Sequence, residues 1–164
     1  MKRHLYLIRH AKSSWSNLDL KDIERPLNKR GQRDAPLMAG LLKARGIVPD
    51  AIISSPAVRA ITTARIIGEV LEVKEALIYQ EPQIYEATVN QMLGVIGSIP
   101  DDFKHVLMFG HNPAFTYLAH HFGHGLDNLP TCGVISLETT AGTWAEVTEH
   151  NTKVIKVDYP KMHF

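Results

Sequence analysis

Three short segments hold residue types suited to handling a phosphoryl group: Arg9-His10, Ser54-Ser55-Pro56 with Arg59, and Gly110-His111-Asn112. An arginine presents a fixed fork of N–H donors that matches a phosphate bidentately. A neutral imidazole is nucleophilic near pH 7, so a histidine can take the phosphoryl group and lose it again to water. Phosphoryl transfer otherwise asks for neutralised charge on three equatorial oxygens and an aligned nucleophile. His10 is the candidate nucleophile, because it stands beside Arg9 where an apolar run ends. His111 is the candidate donor to a phosphoryl oxygen. Taken one at a time these residues are ordinary, since an isolated Arg or His is more often a surface residue.

The elements around them explain how they would meet. Residues 4–8, His-Leu-Tyr-Leu-Ile, read as a short buried strand that delivers Arg9 and His10 at its C-terminal end. Residues 11–27 show no period and end in Arg25-Pro26-Leu27, the pattern of a long functional loop. Asn28 caps a helix whose apolar face is Ala35, Leu37, Met38, Leu41 and Leu42, and Gly46 stops it. A second strand over 50–54 is followed by Ser55 as cap and Pro56 at the first helical position. A strand is predicted over 77–83, then a helix from its cap at Thr88 through Ile99, ended by Pro100. Residues 105–109 form another buried strand, 110–113 a turn, and 114–122 a helix. The last third reads as strands over 133–137, 143–148 and 153–158. Strand–helix units followed by a meander predict a three-layer α/β/α sandwich on a mostly parallel, mixed sheet. Ligands of such sheets bind beyond the C-terminal strand ends, where all three polar segments fall, and helix N-termini after Ser55 and Pro113 would add backbone donors.

The order of the motifs adds a resemblance. Leu7-Ile8-Arg9-His10-Ala11-Lys12-Ser13 resembles the Arg-His signature of the histidine phosphatase superfamily, also called phosphoglycerate-mutase-like, with Ala11 where that family usually has glycine. The runs Asp22-x-x-Arg25-Pro26-Leu27-Asn28-x-x-Gly31, Ser54-Ser55-Pro56-x-x-Arg59-Ala60-x-x-Thr63-Ala64 and Gly110-His111-Asn112-Pro113 follow in the family's order and resemble its small SixA-like phosphohistidine phosphatase branch. The likeness covers residues 5–137. It implies that His10 is phosphorylated, that Arg9, Arg59 and His111 hold the phosphoryl oxygens, and that Ser13 and the Asn112 amide line the pocket. It implies no metal or organic cofactor. Because only about 20 residues separate Tyr85 from His105, it also implies an open site that would serve a phosphohistidine protein or a small phosphate ester.

The leaving-group side is less specified. Glu86 stands near the position where larger relatives carry a catalytic Glu, or is a solvated residue before the Thr88 cap. Asp22 matches the family's Asp-x-x-Arg-Pro-Leu run, or caps local backbone amides. A phosphoramidate substrate would need neither. Arg25 either lines the entrance or orders the loop through Glu24 or Asp22, and Lys12 and Trp15 share that loop within reach of a partner protein. His120 and His124 have the i, i+4 spacing of helix-borne metal ligands, next to His121, but no carboxylate or cysteine stands at ligand spacing and Gly123 interrupts the helix. A non-catalytic phospho-ligand module is the remaining alternative, against which stands the intact set of His10, Arg59 and His111.

Bulk properties fit this reading. A chain of 164 residues with 45% hydrophobic content forms one domain over 1–164 and buries roughly 70% of its unfolded surface. The formal charge of +1 with scattered positive residues offers no nucleic-acid footprint. Cys132 is the single cysteine, so neither an internal disulfide nor a thiolate metal cluster is expected. The apolar run after Met1-Lys2-Arg3 is too short for a signal sequence and nothing approaches a membrane span, so the expected location is cytoplasmic.

Overall fold

The computed structural model describes residues 2–164. Its elements run β1 (Arg3–Arg9), α1 (Lys29–Ala44), β2 (Ala51–Ser54), α2 (Val58–Val70), β3 (Ile78–Gln80), α3 (Val89–Gly97), β4 (His105–Gly110), α4 (Ala114–His121), β5 (Val134–Thr139) and β6 (Thr152–Asp158). The six strands form one sheet in the order β3-β2-β4-β1-β5-β6. β1, β2, β3 and β4 pair in parallel, while β5 runs antiparallel to β1 and β6 antiparallel to β5. This is the mixed, mostly parallel α/β sandwich that the alternation of strand and helix patterns implies.

Side chains of successive strand residues point to opposite faces, and β1 shows the consequence. Leu5 and Leu7 join the core beneath α3 and α4 with Met92, Ile96, Phe115 and Leu118. Tyr6 and Ile8 join the core beneath α1 and α2 with Met38, Leu42, Ile61 and Ile67. A strand buried on both faces must be apolar throughout, which is why residues 4–8 lack polar alternation. The Asn28 carboxamide accepts from the Gly31 amide and so caps α1 as expected.

Three expectations need correction. Residues 143–148 are not a strand: Trp144–Glu146 form a 3-10 turn, because the Trp144 indole is drawn into the core and donates to the Phe103 carbonyl at 2.7 Å. β5 therefore pairs directly with β6 across a longer connection. The strand expected over 77–83 is confined to Ile78–Gln80, since Pro82, which has no N–H, opens a second 3-10 turn, Pro82–Ile84. Ser55 and Pro56 do not open α2. The helix begins at Val58 with Ala57 at its cap, and the Ser55 hydroxyl accepts from the Ala57 amide at 3.2 Å while turning toward His111.

Candidate active site

β2, β4 and β1 are adjacent in the sheet, so the residues that follow them meet at one edge. They line a cleft of ≈ 210 Å³ formed by Arg9, His10, Lys12, Ser13, Trp15, Arg25, Arg59, His111, Asn112 and Thr131. At β4 the turn into the cleft depends on Gly110, where a Cβ would stand 2.7 Å from the Phe115 ring and 2.8 Å from Ile84. At β1 the chain is held by the Gly110 carbonyl, which accepts from the His10 amide, and by the Cys132 amide, which donates to the Arg9 and His10 carbonyls. The Ala11 amide donates to Thr63 Oγ1, whose own hydroxyl donates to the Arg59 carbonyl, so the His10 segment and α2 are tied together.

His10 is buried, and its Nδ1 lies 2.7 Å from the Ala11 carbonyl. A carbonyl can only accept, so Nδ1 carries the proton and the neutral ring keeps its lone pair on Nε2. Burial, with Arg59, Arg9 and Arg25 nearby, lowers its pKa to about 4 against the opposing bond to Ala11. The ring is therefore neutral at pH 7. His111 packs against it with ring centroids 5.3 Å apart. Burial, and after it His10 and Arg59, lower the His111 pKa to about 3. Its Nε2 lies 2.8 Å from Ser55 Oγ, and its Nδ1 is buried without a protein partner.

The two arginines are each half-committed. Arg9 donates from Nη1 to the Leu129 carbonyl at 3.0 Å, and Arg59 donates to the Asp22 carbonyl at 2.7 Å and to Asp22 Oδ2 at 3.0 Å. The Nε of each is buried and unpartnered. Burial and the neighbouring Arg59 lower the pKa of Arg9. A cleft lined by the guanidinium groups of Arg9, Arg25 and Arg59 beside two neutral imidazoles has a standing positive charge suited to a small polyanion.

Asp22 belongs to this site as an acceptor. It receives bonds from Tyr85 Oη at 2.6 Å, Arg59 Nη2 at 3.0 Å and Arg25 Nε at 3.1 Å. The Tyr85 bond, then those from Arg59 and Arg25, hold its carboxyl well below the usual carboxylate range. Asp22 is ionised at neutral pH and has no proton to give a leaving group, and its carboxylate accepts from side chains rather than capping local backbone amides. Arg25 fulfils both roles weighed for it: it lines the cleft, and it orders the loop by donating to Ser13 Oγ, the Ser14 carbonyl and Asp22. Asn112 lines the cleft too, but its amide nitrogen donates to Asn128 Oδ1 and the Leu129 carbonyl, so it braces the neighbouring loop.

Glu86 is not brought in. It is exposed, has φ +57°, and makes no side-chain hydrogen bond among the described residues. The residue before it faces the site instead. Tyr85 meets His111 edge-on with ring centroids 5.6 Å apart, and burial and Asp22 raise its phenol pKa to about 12. Sequence reasoning missed Tyr85, and it placed Ser55 in one of the three polar segments and at a helix cap without anticipating its bond to His111. The available signal for Tyr85 was its place in the same Ile-Tyr-Glu-Ala run that drew attention to Glu86. His120, His121 and His124 lie apart from one another in their bonding: His120 Nε2 donates to the Leu126 carbonyl, His121 pairs with Glu149 at 3.6 Å, and Gly123 at φ +88° ends α4 before His124. No cluster of three potential metal ligands occurs among the described residues.

Comparison with known proteins identifies the family and the fold. The sequence profile of the histidine phosphatase superfamily (branch 1) matches residues 5–98. An uncharacterised chloroplastic protein of Arabidopsis thaliana is 32% identical over 155 residues, spanning 89% of this chain and 71% of that protein. Among solved structures, a chain provisionally named the phosphohistidine phosphatase SixA of Nakamurella multipartitia superposes with a TM-score of 0.83 at 23% identity, covering 98% of this chain and 97% of its own. The protein histidine phosphatase SixA complexed with tungstate gives 0.81 at 20% identity, covering 97% and 98%. The chain belongs to the histidine phosphatase superfamily, branch 1, and its fold is SixA-like. Membership supports phosphatase activity as the class of reaction.

Proposed function

We propose that the protein hydrolyses phosphohistidine, or phosphate monoesters of similar reach, through a covalent phosphohistidine on His10. The observation that carries this reading is the commitment of His10 Nδ1 to the Ala11 carbonyl in a cleft that also holds Arg9, Arg59 and His111. Nε2 attacks phosphorus, and the bond from phosphorus to the leaving oxygen or nitrogen breaks with its electron pair going to the leaving group. The Nδ1 proton stays on the ring, where the Ala11 carbonyl stabilises the positive charge that phosphorylation places on the imidazole. Arg9 and Arg59 neutralise the equatorial oxygens, and His111 donates to one of them from Nδ1. Water then attacks phosphorus, gives up a proton to solvent, and the ring departs as neutral imidazole with Nδ1–H retained.

The leaving oxygen of an ester takes its proton from solvent, whereas the ring of a phosphoramidate that already carries a proton on its other nitrogen departs as neutral imidazole and needs none. That asymmetry supports phosphohistidine over an alkyl ester, as does the exposed rim of Lys12 and Trp15 beside the cleft, which a protein substrate in the cytoplasm could contact. Positive charge comes from the arginines, so the proposed route uses no metal and activity should survive chelation. The test is acid-labile, base-stable phosphoryl label on His10 after quenching during turnover. It is paired with kcat/KM on a phosphohistidine protein, a phosphoserine peptide and small phosphate esters, with His10→Ala as control. Turnover by His10→Ala at the wild-type rate would overturn the covalent route, and a preference for the small esters would overturn the protein substrate.

A further inference from the structure

Among the residues lining the cleft, Trp15 is the one with a largely apolar side chain. Tryptophan is among the residues that folding buries most on average, yet Trp15 is 65% exposed. It is held nonetheless. The Arg25 guanidinium lies against one face of the ring, with Cζ 3.4 Å from the centroid. Arg25 is itself buried and fixed by Asp22 Oδ1, Ser13 Oγ and the Ser14 carbonyl. Ser13 is anchored by its bridge to Leu27. The indole is thus backed by a cation that cannot easily move, and much of its surface faces solvent at the mouth of the phosphoryl site.

We propose that Trp15 is the leaving-group platform: a stacking surface for a planar aromatic or heteroaromatic ring bonded to the phosphoryl group. This rests on the phosphatase reading above and narrows its substrate class to rings, the imidazole of phosphohistidine or the phenol of an aryl phosphate. With phosphorus held among Arg9, Arg59 and His111, the group opposite His10 must project toward the cleft mouth, where it meets an apolar face. A ring stacks there at little entropic loss because the partner is already fixed. An ethyl or glycerol group has no comparable surface to cover and gains less.

The test compares phenyl phosphate, N-phosphoimidazole and ethyl phosphate on the wild type, Trp15→Ala and Trp15→Phe. Intrinsic leaving-group reactivity cancels when each variant is divided by the wild type on the same substrate. Trp15→Ala should lower kcat/KM for both ring substrates by about 2- to 10-fold, the range of an aromatic pair, and change ethyl phosphate and vanadate inhibition by less than about 2-fold. Trp15→Phe should keep most of the ring preference. Equal losses on ring and ethyl substrates, or no loss on either, overturn the platform. A loss on phenyl phosphate alone overturns its imidazole occupant. Binding of phenylphosphonate against ethylphosphonate, neither of which turns over, separates the two levels. A Trp15-dependent preference for the phenyl ligand without any phosphorylation of His10 keeps the platform and refutes the phosphatase reading. Phosphorylation of His10 with no such preference does the reverse.

Discussion

Acidification of the protein from pH 7 to pH 4 should separate His10 from an ordinary histidine. An imidazole with the usual pKa of 6.5 is roughly 9% neutral at pH 5.5, whereas one at about 4 is roughly 97% neutral, a difference of about tenfold in nucleophile available. The sign for stability follows from which state takes the proton. Between pH 6.5 and about 4 the unfolded chain binds a proton at His10 that the folded protein withholds, so stability rises with pH across that window and is flat below it. At about 1.4 kcal/mol per pH unit, lowering His10 from 6.5 to about 4 corresponds to about 3 kcal/mol lost on acidification, and His111 adds in the same direction. Bound phosphate or vanadate should oppose this, because an oxyanion favours the protonated rings. The assay is 15N NMR of the imidazoles from pH 3.5 to 8 in the absence of ligand, with urea unfolding at pH 7.5, 5.5 and 4.5. The spectra should show His10 protonated at Nδ1 and unprotonated at Nε2 down to about pH 4. A His10 that titrates near 6.5, or that carries its neutral-state proton on Nε2, would refute the reasoning.

Ser55→Ala should lower kcat by about tenfold with little change in KM, the size of one lost hydrogen bond, because the His111 proton is no longer held on Nδ1; the 15N spectrum should show that proton shared between the two nitrogens. Asp22→Asn should lower the Tyr85 phenol pKa from about 12 toward 10, read by ultraviolet titration, and reduce kcat/KM as Arg59 and Arg25 lose their anchor. Glu86→Gln should leave turnover unchanged on both an aryl phosphate and a phosphohistidine, and a large loss would return Glu86 to the mechanism. Gly31→Ala should destabilise by about 1–3 kcal/mol in denaturant unfolding, since its Cβ would lie 2.2 Å from the Lys12 carbonyl oxygen, and should also slow turnover by displacing Ser13.

Much of the cluster of Arg9, His10, Arg59 and His111 was legible in the chain because it depends on local features. A short apolar run ending in Arg9-His10 reads as a buried strand that delivers polar residues at its end, and Gly110-His111 repeats that arrangement on β4, its neighbour. The misreadings have a common source in long-range contacts. Residues 143–148 carry strand-forming types, but Trp144 finds its partner in Phe103, 41 residues away. Ser55 precedes a proline in the manner of a helix cap, yet its hydroxyl is taken by His111, 56 residues away.

The sequence by itself determined the alternation of strands and helices, the Arg9-His10, Arg59 and His111 set, and the family to which they belong, because these rest on periodicity and on residue types at fixed spacing. Only the tertiary structure decided which groups are charged and which way protons face. Burial at the sheet edge makes both imidazoles neutral, and the Ala11 carbonyl sets the His10 tautomer. Tyr85, Arg59 and Arg25 converge on Asp22 and keep it ionised. Solvation and hydrogen-bond partners are properties of the packed chain, so no spacing rule along it could have assigned them.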